Sequence, residues 1–492
     1  MGILDKIKDL SKPAVSGDQQ YFQPSPTSTS LPLEQSLKRY RKQRGVNLGS
    51  WFTTEDWLAT ELYKHAVEPR GSDFDLARAP NAKALMEHHW DTWITDSDWE
   101  WIRSKGFNSV RLPIGYYHLA GVWPDIVKGT DYAPYADVYE GAWPRILNAI
   151  DRAGRYGLGV LVDFHAAAGA QNTDGHSGMS GGTVNFWDKS NLKSTALALR
   201  FLASTLAPNP HVIGLELLNE PKNDSRLQKW YESTIDELRP LTGPDFPIYV
   251  SDAWDTNWYA QWAGRRSDFI VVDHHLYRCF TPEDKAIDGR GHAAKLAHEF
   301  APKFIQLCGQ APIVVGEWSA GLDDSGLPPD TPASERDAQK RAWVTAQLDL
   351  YERAAGYWFW TLKTDRPWDA GWSAYNASQA EILPASMVRR TLRQPGDRTA
   401  ACHQACDAHC AYWGAHGGKP NAHVFNSAFC RGWDDAAMFL RSEGQAEIGF
   451  VTPWSRHRRD EFAQSGQLGD DAWQWDHGFE QGVQALTAQA LE

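Results

Sequence analysis

The chain has 492 residues, of which 42% are hydrophobic and 23% are charged, a composition typical of a globular protein with a large core. The formal net charge of -13 argues against nucleic acid or an anionic membrane as its main partner. No stretch approaches the ~20 apolar residues of a membrane span, and the N-terminus lacks the apolar run of a signal peptide. We therefore expect a cytoplasmic protein whose six cysteines are reduced, with unconventional secretion as the alternative.

The first segment, residues 1–31, is predicted to be a disordered or loosely docked tail, because its Ser, Pro, Thr and Gln residues bury little apolar surface. From there to Pro395, short β-branched runs alternate with long segments of helical periodicity. Eight runs are predicted to be strands, at Val46–Leu48, Ser109–Leu112, Val160–Phe164, Val212–Leu217, Ile248–Ser251, Phe269–Asp273, Ile313–Gly316 and Tyr357–Trp360.

The predicted strands are nearly continuous in apolar residues, as expected of parallel strands buried on both faces. The helices between them are predicted at Trp143–Tyr156, Leu192–Leu206, Leu227–Leu238 and Glu335–Ala355. Eight β–α units in residues 32–395 indicate an α/β fold, a (β/α)8 TIM barrel. A doubly wound sheet is the alternative, but the segment Gly45–Gly49 lacks the glycine-rich loop and helix that announce one.

Residues 396–492 change in character and are rich in Cys, His and Trp. They predict a helical C-terminal extension, with helices near Thr399–Tyr412 and Asp434–Ser442. Cysteines recur every four residues at Cys402, Cys406 and Cys410, on one face of a helix. This spacing departs from that of structural zinc sites, so we favour a helix face of small thiols buried against the barrel.

Polar and aromatic residues follow the apolar runs, where a TIM barrel carries its working residues. They are Arg111, His165, Asn219–Glu220, His274–Tyr277, Glu317–Trp318 and Trp360. Any one of them alone is better explained as a solvated loop residue or a core histidine. Their joint occurrence at one end of so many strands favours an active site. Some of the 24 tryptophans then belong to a binding cleft and the rest to the core.

Glu220 and Glu317 are the two carboxylates of this set, and a facing pair is what glycosidic bond cleavage needs. Arg111 would keep Glu317 ionised, because a nearby positive charge lowers a carboxylate pKa. The remaining residues of the set are suited to binding a sugar. An amide can hold a sugar hydroxyl, His and Tyr side chains can orient the carboxylates, and an indole face can stack against sugar C–H bonds. These are Asn219, His275, Tyr277 and Trp360.

Six motifs, in order, resemble glycoside hydrolase family 5 and within it the fungal exo-β-1,3-glucanases, over about residues 38–394. They are Arg44–Phe52, Val110–Tyr116, Leu217–Pro221, Asp273–Tyr277, Val315–Ser319 and Gly356–Thr364. The resemblance implies that Glu220 is the general acid/base, Glu317 the nucleophile and Glu55 a ligand of the terminal sugar. It also places Arg111, His165, Asn219, His275, Tyr277 and Trp360 in the active site.

The resemblance further implies a retaining mechanism, in which the acid has a raised pKa and the nucleophile a low one. It implies no metal and no organic cofactor. The loop Gly169–Gly178 departs from the secreted enzymes, with Asp174 where an aromatic residue is expected and His176 where an amide is usual. This loop resembles the cytosolic fungal branch, and Phe280 remains as one wall of the sugar site.

The main functional prediction is a retaining exo-β-1,3-glucanase or β-glucosidase acting on a β-glucan or β-glucoside. The alternatives are a β-1,6-glucan hydrolase, a glucosyl-lipid hydrolase acting on steryl or ceramide glucosides, and a transglycosylase. A non-enzymatic alternative is an inactive carbohydrate-binding barrel, since a fold does not determine a function. The presence of both Glu220 and Glu317 argues against it.

Overall fold

The structure is a computed structural model, which describes residues 33–442 and 446–491. It divides into two compact units, one formed by residues 33–35 and 44–387 and one by residues 388–491 together with Ser36–Gln43. The predicted tail, residues 1–31, lies outside the described residues. The assignment of three segments with a boundary after Pro395 stays a prediction.

Eight parallel strands form a closed barrel in sequence order, which confirms the predicted (β/α)8 fold. The strands are β1 Gln43–Asn47, β2 Ser109–Gly115, β3 Gly159–Ala166, β4 Val212–Glu216, β5 Ile248–Ser251, β6 Ile270–Leu276, β7 Ile313–Trp318 and β8 Gly356–Phe359. Every residue of these strands is buried. Burial on both faces explains why the runs read as continuously apolar.

Helices connect the strands of the first unit, and further helices form the second unit. In the described residues they are α1 Leu33–Tyr40, α2 Thr60–Tyr63, α3 Asp73–Ala77, α4 Ala82–Thr92, α5 Asp96–Ser104, α6 Ala142–Arg155, α7 Lys189–Leu206, α8 Leu227–Thr242, α9 Thr256–Gly264, α10 Pro282–Lys285, α11 Gly289–Lys295, α12 Ala301–Cys308, α13 Ala333–Tyr351, α14 Ala374–Gln379, α15 Arg398–Ala415, α16 Ala422–Arg441, α17 Val451–Ala463 and α18 Ala472–Ala490. Short 3₁₀ turns lie at Tyr116–Leu119, Pro124–Ile126, Ala133–Tyr139, Gly175–Ser177 and Asp324–Gly326, and a π turn at Leu296–Phe300. Helix α6 is a typical amphipathic helix, with Trp143, Ile146 and Ile150 buried on one side.

Several strands are longer at their carboxyl ends than the apolar pattern predicts. β3 includes His165, β6 includes His275 and β7 includes Glu317, while Arg111 lies in the middle of β2 rather than at its end. Polar side chains stop an apolar pattern, but their backbone groups still pair in the ladder. The register between β6 and β7 shifts between His274 and His275, and this places His275 beside Glu317. Such irregularities re-aim side chains next to active sites.

The second unit is built around the close approach of α16 and α18. A Cβ atom at Gly432 would lie 2.2 Å from the carbonyl oxygen of Phe479, and one at Gly482 would lie 2.1 Å from that of Phe429. Only glycine allows the two backbones to lie this close. In the same unit, Asp435 of α16 accepts hydrogen bonds from Trp454 Nε1 at 2.9 Å and Arg458 Nε at 2.8 Å. Both donors belong to α17.

The cysteines of α15 face α16, and the predicted burial of this helix face against the barrel stays a prediction. Cys402 Sγ lies 3.2 Å from Asn426 Oδ1 and 3.5 Å from Cys430 Sγ, both on α16. Cys406 Sγ lies 3.9 Å from Cys410 Sγ on the same helix. None of the six cysteines, all of which lie in the described residues, forms a disulfide bond. A helical period identifies the buried face of a helix but carries no information about which element covers it.

In the part of the chain that is described, no helix is long and apolar enough to span a membrane. Cytoplasmic localisation stays a prediction.

We predict that Gly482→Ala destabilises the second unit by about 1–3 kcal/mol, because the added methyl group overpacks the contact with α16. Thermal and denaturant unfolding of the full chain measure this loss. Gly414→Ala in α15 is the matched control, since a Cβ there meets nothing within 4 Å. The control is expected to gain up to about 1 kcal/mol from helix propensity. A Gly482→Ala protein that unfolds no earlier than the wild type would contradict the packing argument.

Candidate active site

Two carboxylates face each other at the carboxyl ends of the barrel strands. Glu317 is the fifth residue of β7, and Glu220 lies in the loop that follows β4. One oxygen of each, together with a nitrogen of His275, lies within 4.8 Å of the other two atoms. Barrel closure therefore brings together two residues that are far apart in sequence.

Arg111 occupies the centre of the barrel beneath this pair and is fully buried. Its guanidinium donates to Glu216 Oε2 at 2.9 Å and to Glu317 Oε1 at 2.8 Å. It also donates to Asn47 Oδ1 at 3.1 Å and Asn219 Oδ1 at 2.7 Å. Further ion pairs reach Asp163 at 3.1 Å and Asp273 at 4.0 Å. The predicted contact between Arg111 and Glu317 is thus present, within a larger network.

Glu317 is held by groups on both of its oxygens. Arg111 binds Oε1, and the Tyr277 hydroxyl donates to Oε2 at 2.8 Å. His275 Nδ1 lies 3.5 Å from the same Oε2. These contacts fix the orientation of the carboxylate, which is what a nucleophile requires.

Glu220 has a strained backbone, with a φ of 41° in the left-handed region. Asn172 Nδ2 donates to its carbonyl oxygen at 2.9 Å, and Gln171 Nε2 donates to the carbonyl oxygen of Asn219 at 2.9 Å. These two amides hold the strained loop in place. Sequence analysis missed both, because nothing in their local pattern distinguishes them from ordinary loop residues.

The side chain of Glu220 lies between two imidazoles. His275 Nδ1 is 2.7 Å from Oε1, and His176 Nε2 is 3.6 Å from Oε2. Burial raises the pKa of Glu220, but the hydrogen bond and charge of His275, together with the charges of His176 and His165, outweigh it and lower the pKa to about 2. Burial lowers the pKa of His275, while the charges of Glu317 and Asp273 raise it well above its ordinary value.

The expectation of a raised pKa at Glu220 is therefore wrong for this structure, because His275 holds the proton of the pair. The sequence identified His275 only as a residue that orients the carboxylates, and its effect on the pKa of Glu220 depends on a distance that the sequence does not show. The proton that a general acid needs lies on His275 Nδ1, one hydrogen bond from Glu220 Oε1.

His165 and Trp360 form one side of the site. Their rings are stacked with centroids 5.8 Å apart and planes 6° apart. Asp163 fixes His165 through a 2.6 Å contact at Nδ1, and His165 Nε2 lies 3.5 Å from Asn219 Nδ2. The His165 ring also lies edge-on to His176, with centroids 5.2 Å apart. The structure therefore brings together four of the predicted site residues, which are His165, His176, Asn219 and Trp360.

Glu55 offers an unsatisfied acceptor to this space. Trp57 Nε1 donates to its Oε2 at 2.8 Å, whereas its Oε1 is buried and has no hydrogen-bond partner within the protein. Burial raises the pKa of Glu55 to about 7, against the nearby charge of His176 and the hydrogen bond from Trp57. The charges of Glu317 and Glu220 raise it further. A sugar hydroxyl would supply the missing donor.

An aromatic wall extends outward from the carboxylates. The ring of Trp372 contacts Tyr277 at 5.2 Å, Phe280 at 6.2 Å and Trp57 at 5.1 Å. Phe280 is 66% exposed, as expected of a residue that can meet a ligand. Sequence analysis identified Tyr277 and Phe280 but missed Trp57 and Trp372. Trp372 lies too far along the chain from the end of β8 to be found among the residues that directly follow a strand.

Two groups of largely buried side chains near Arg111 carry oxygen and nitrogen atoms of the kind that bind a metal ion. One group is Glu216, Asp273 and His275, and the other is Glu220, His275 and Glu317. In each group the possible ligand atoms lie within 4.8 Å of one another. However, the cationic groups of Arg111 and His275 already bind these oxygens. A metal ion would have to displace them, so the residues fit a network of organic cations better than a metal site.

This combination of a TIM barrel with a pair of facing buried carboxylates defines a class, the O-glycosyl hydrolases. Comparison with known proteins agrees. Residues 71–366 match cellulase (glycosyl hydrolase family 5), and residues 395–490 match the C-terminal domain of glucan 1,3-beta-glucosidase 3. The chain belongs to glycosyl hydrolase family 5, as its sequence motifs indicate.

Curated relatives match most of the chain. Glucan 1,3-beta-glucosidase 3 of Schizosaccharomyces pombe is 29% identical over 464 residues, which cover 90% of this chain and 95% of that protein. Probable glucan 1,3-beta-glucosidase A of Neosartorya fischeri is 31% identical over 390 residues, which cover 70% of this chain and 88% of that one. The chain is therefore similar to glucan β-glucosidases of family 5.

Among solved structures, the rutinosidase from Aspergillus niger superimposes with a TM-score of 0.56 at 17% identity. The match covers 70% of this chain and 99% of that one. At this identity the likeness concerns the fold alone, and it agrees with the barrel described above.

We predict that the KM for an aryl β-glucoside falls about three- to tenfold as the pH rises through about 7. The reason is that ionised Glu55 accepts a stronger, charge-assisted hydrogen bond than its protonated form. Steady-state kinetics from pH 5 to 9 on the wild type and Glu55→Gln measure this. The variant has no carboxylate to titrate, so its KM should lack the step. A step of equal size in both proteins would assign it to another group.

Proposed function

We propose that the protein is a retaining exo-β-glucosidase acting on β-1,3-linked glucan, with Glu317 as nucleophile and Glu220 as general acid/base. The single observation that carries this proposal is that one oxygen of Glu220 lies within 4.8 Å of one oxygen of Glu317, as in a closely spaced pair of carboxyl groups. Retaining enzymes place their carboxyl groups about 5–5.5 Å apart, whereas inverting enzymes leave about 6.5–9.5 Å for a water molecule. The similarity to glucan 1,3-beta-glucosidases supports the choice of substrate.

In the first step, Glu317 bonds to the anomeric carbon, and the bond to the glycosidic oxygen breaks as that oxygen receives a proton through Glu220 Oε1. The charge of Glu317 raises the pKa of His275, so consumption of that charge lowers it. The His275 proton therefore moves across 2.7 Å to Glu220 Oε1, which passes it to the departing glycosidic oxygen and is left ionised. Nucleophilic attack and proton donation are thereby coupled through one imidazole. In the second step, Glu220 takes a proton from a water molecule whose oxygen bonds to the anomeric carbon as the bond to Glu317 breaks. The proton returns to His275 as Glu317 regains its charge, and the sugar is released with its configuration retained.

The site supports binding of a terminal glucosyl unit. Glu55 presents its unpartnered Oε1, Asn219 and His176 lie beside Glu220, and Trp360 supplies an indole. The aromatic wall, with Trp372 and Phe280, would receive the next sugar or an aglycone. The similarity to the named glucosidases and the role proposed for Glu55 support exo action.

The two roles are separated by azide rescue. Glu317→Ala should abolish hydrolysis of an aryl β-glucoside, and added azide should then yield the α-glucosyl azide. Glu220→Ala should lose about 10²–10⁴-fold on poor leaving groups, keep rapid glycosylation by activated ones, and yield the β-glucosyl azide. Proton NMR identifies each anomer, and melting curves check that both variants fold. Near wild-type hydrolysis by either variant would refute the assignment.

A second candidate, hydrolysis of a glucoside with an apolar aglycone such as a glucosyl lipid, is favoured by the exposed aromatic rim. Arg366 lies over the rings of both Trp57 and Trp368, at 5.3 Å and 5.0 Å, and Trp368 is 74% exposed. The rim therefore continues the wall of Trp372 and Phe280 outward.

Time-resolved NMR of products from a β-glucoside panel decides between the candidates. The panel holds laminari-oligosaccharides, β-1,6-linked oligosaccharides, a steryl glucoside and a ceramide glucoside. The main proposal requires glucose released as the β anomer from the laminari-oligosaccharides, at a higher kcat/KM than from the lipids. The reverse preference would favour the second candidate. Formation of longer oligosaccharides would show transglycosylation, and release of the α anomer would refute retention.

A further inference from the structure

A buried carboxylate outside the catalytic pair, Asp73 of α3, holds the segment that carries Glu55. It is fully buried, and the backbone N–H of Thr54 donates to both of its oxygens at 3.2 Å. The Thr54 hydroxyl donates to Oδ1 at 2.5 Å, and the Tyr117 hydroxyl donates to Oδ2. Thr54 immediately precedes Glu55, so these bonds anchor the backbone from which the Glu55 side chain projects.

The same short segment anchors the loop that carries His176. The backbone N–H of Phe74 donates to the carbonyl oxygen of Gly178 at 3.3 Å. Ser180 Oγ donates to Asp75 Oδ2 at 2.6 Å, and the backbone N–H of Ser180 donates to Ser72 Oγ at 3.0 Å. Residues 72–75 therefore lie between the two loops that bring Glu55 and His176 to the site.

A charge in this position is costly to bury. Burial raises the pKa of Asp73 to about 7, although the hydrogen bonds from Thr54 and Tyr117 lower it. Replacing a buried ionic group by packed apolar residues is often neutral or stabilising. Stability therefore does not explain why a carboxylate is present at this position. Its direct contact with Thr54, the neighbour of Glu55, does explain it.

We propose that Asp73 is a positioning residue, which fixes Thr54 so that the Glu55 carboxylate is aimed at the bound sugar. The proposal rests on the proposed function, because it assigns Asp73 to the binding of the same terminal sugar. Asp73 itself does not touch the substrate; its effect passes through Glu55.

A double-mutant cycle tests this route, because residues that act as one unit are not additive. The variants are Asp73→Asn, Glu55→Gln and the double variant, assayed for kcat/KM on an aryl β-glucoside. Asp73→Asn alone should lower kcat/KM at least fivefold, mainly through KM. In the Glu55→Gln background it should lower kcat/KM less than twofold. Equal losses in both backgrounds would show a merely structural role and overturn the proposal.

Asp98 provides a matched control on another part of the barrel unit. It is also buried and accepts from a threonine backbone N–H and hydroxyl (Thr95, 2.7 Å and 2.9 Å) and from a tyrosine hydroxyl (Tyr375, 2.9 Å). Asp98→Asn should therefore change the melting temperature without coupling to Glu55→Gln. Coupling of the same size at Asp98 would also overturn the proposal.

Tyr117→Phe is the second variant, for use if Asp73→Asn does not fold. It removes one donor to Asp73 and leaves the carboxylate, so kcat/KM should fall two- to fivefold in the wild type and remain unchanged in Glu55→Gln. Calorimetric measurement of the binding of a glucose-like iminosugar distinguishes failure of the proposed function from failure of the role proposed for Asp73. A wild type that neither turns over nor binds would overturn both, whereas an active enzyme with an additive cycle would overturn only the role of Asp73.

Discussion

The buried guanidinium of Arg111 is the interaction on which the site depends. A cation in the centre of a barrel is tolerated only where acceptors surround it, because its desolvation costs several kcal/mol or more. Here those acceptors come from five different strands or their ends. They are Asn47, Asp163, Glu216, Asn219, Asp273 and Glu317. Their convergence on one group aligns the strand ends and orients Glu317 before any substrate is bound.

The charges around Arg111 also decide where protons are held. Burial raises the pKa of Glu216 well above its ordinary value, while Glu220, paired with His275, has a low one. Two glutamates of similar sequence context thus differ in protonation because their neighbours differ. In the proposed mechanism, the proton shared by Glu220 and His275 becomes available as Glu317 loses its charge.

Most of the fold and the centre of the site were predictable from the sequence. Apolar runs located all eight strands, and the polar residues beside them included Glu220, Glu317, His275 and Tyr277. The residues that were missed share a different property. Trp57, Trp372, Asn172 and Asp73 lie in loops or a short helix and act through contacts with distant segments. No periodicity marks such residues, because their importance comes from what they meet.

The sequence by itself determined the barrel, because alternation of buried strands and amphipathic helices is a local pattern repeated eight times. It also determined the chemical groups at the strand ends. Only the tertiary structure decided which of these groups meet. Barrel closure brings Arg111 and Glu317, more than two hundred residues apart in the chain, to 2.8 Å. Desolvation and neighbouring charges set the pKa values, and these depend on distances in space that no spacing along the chain records.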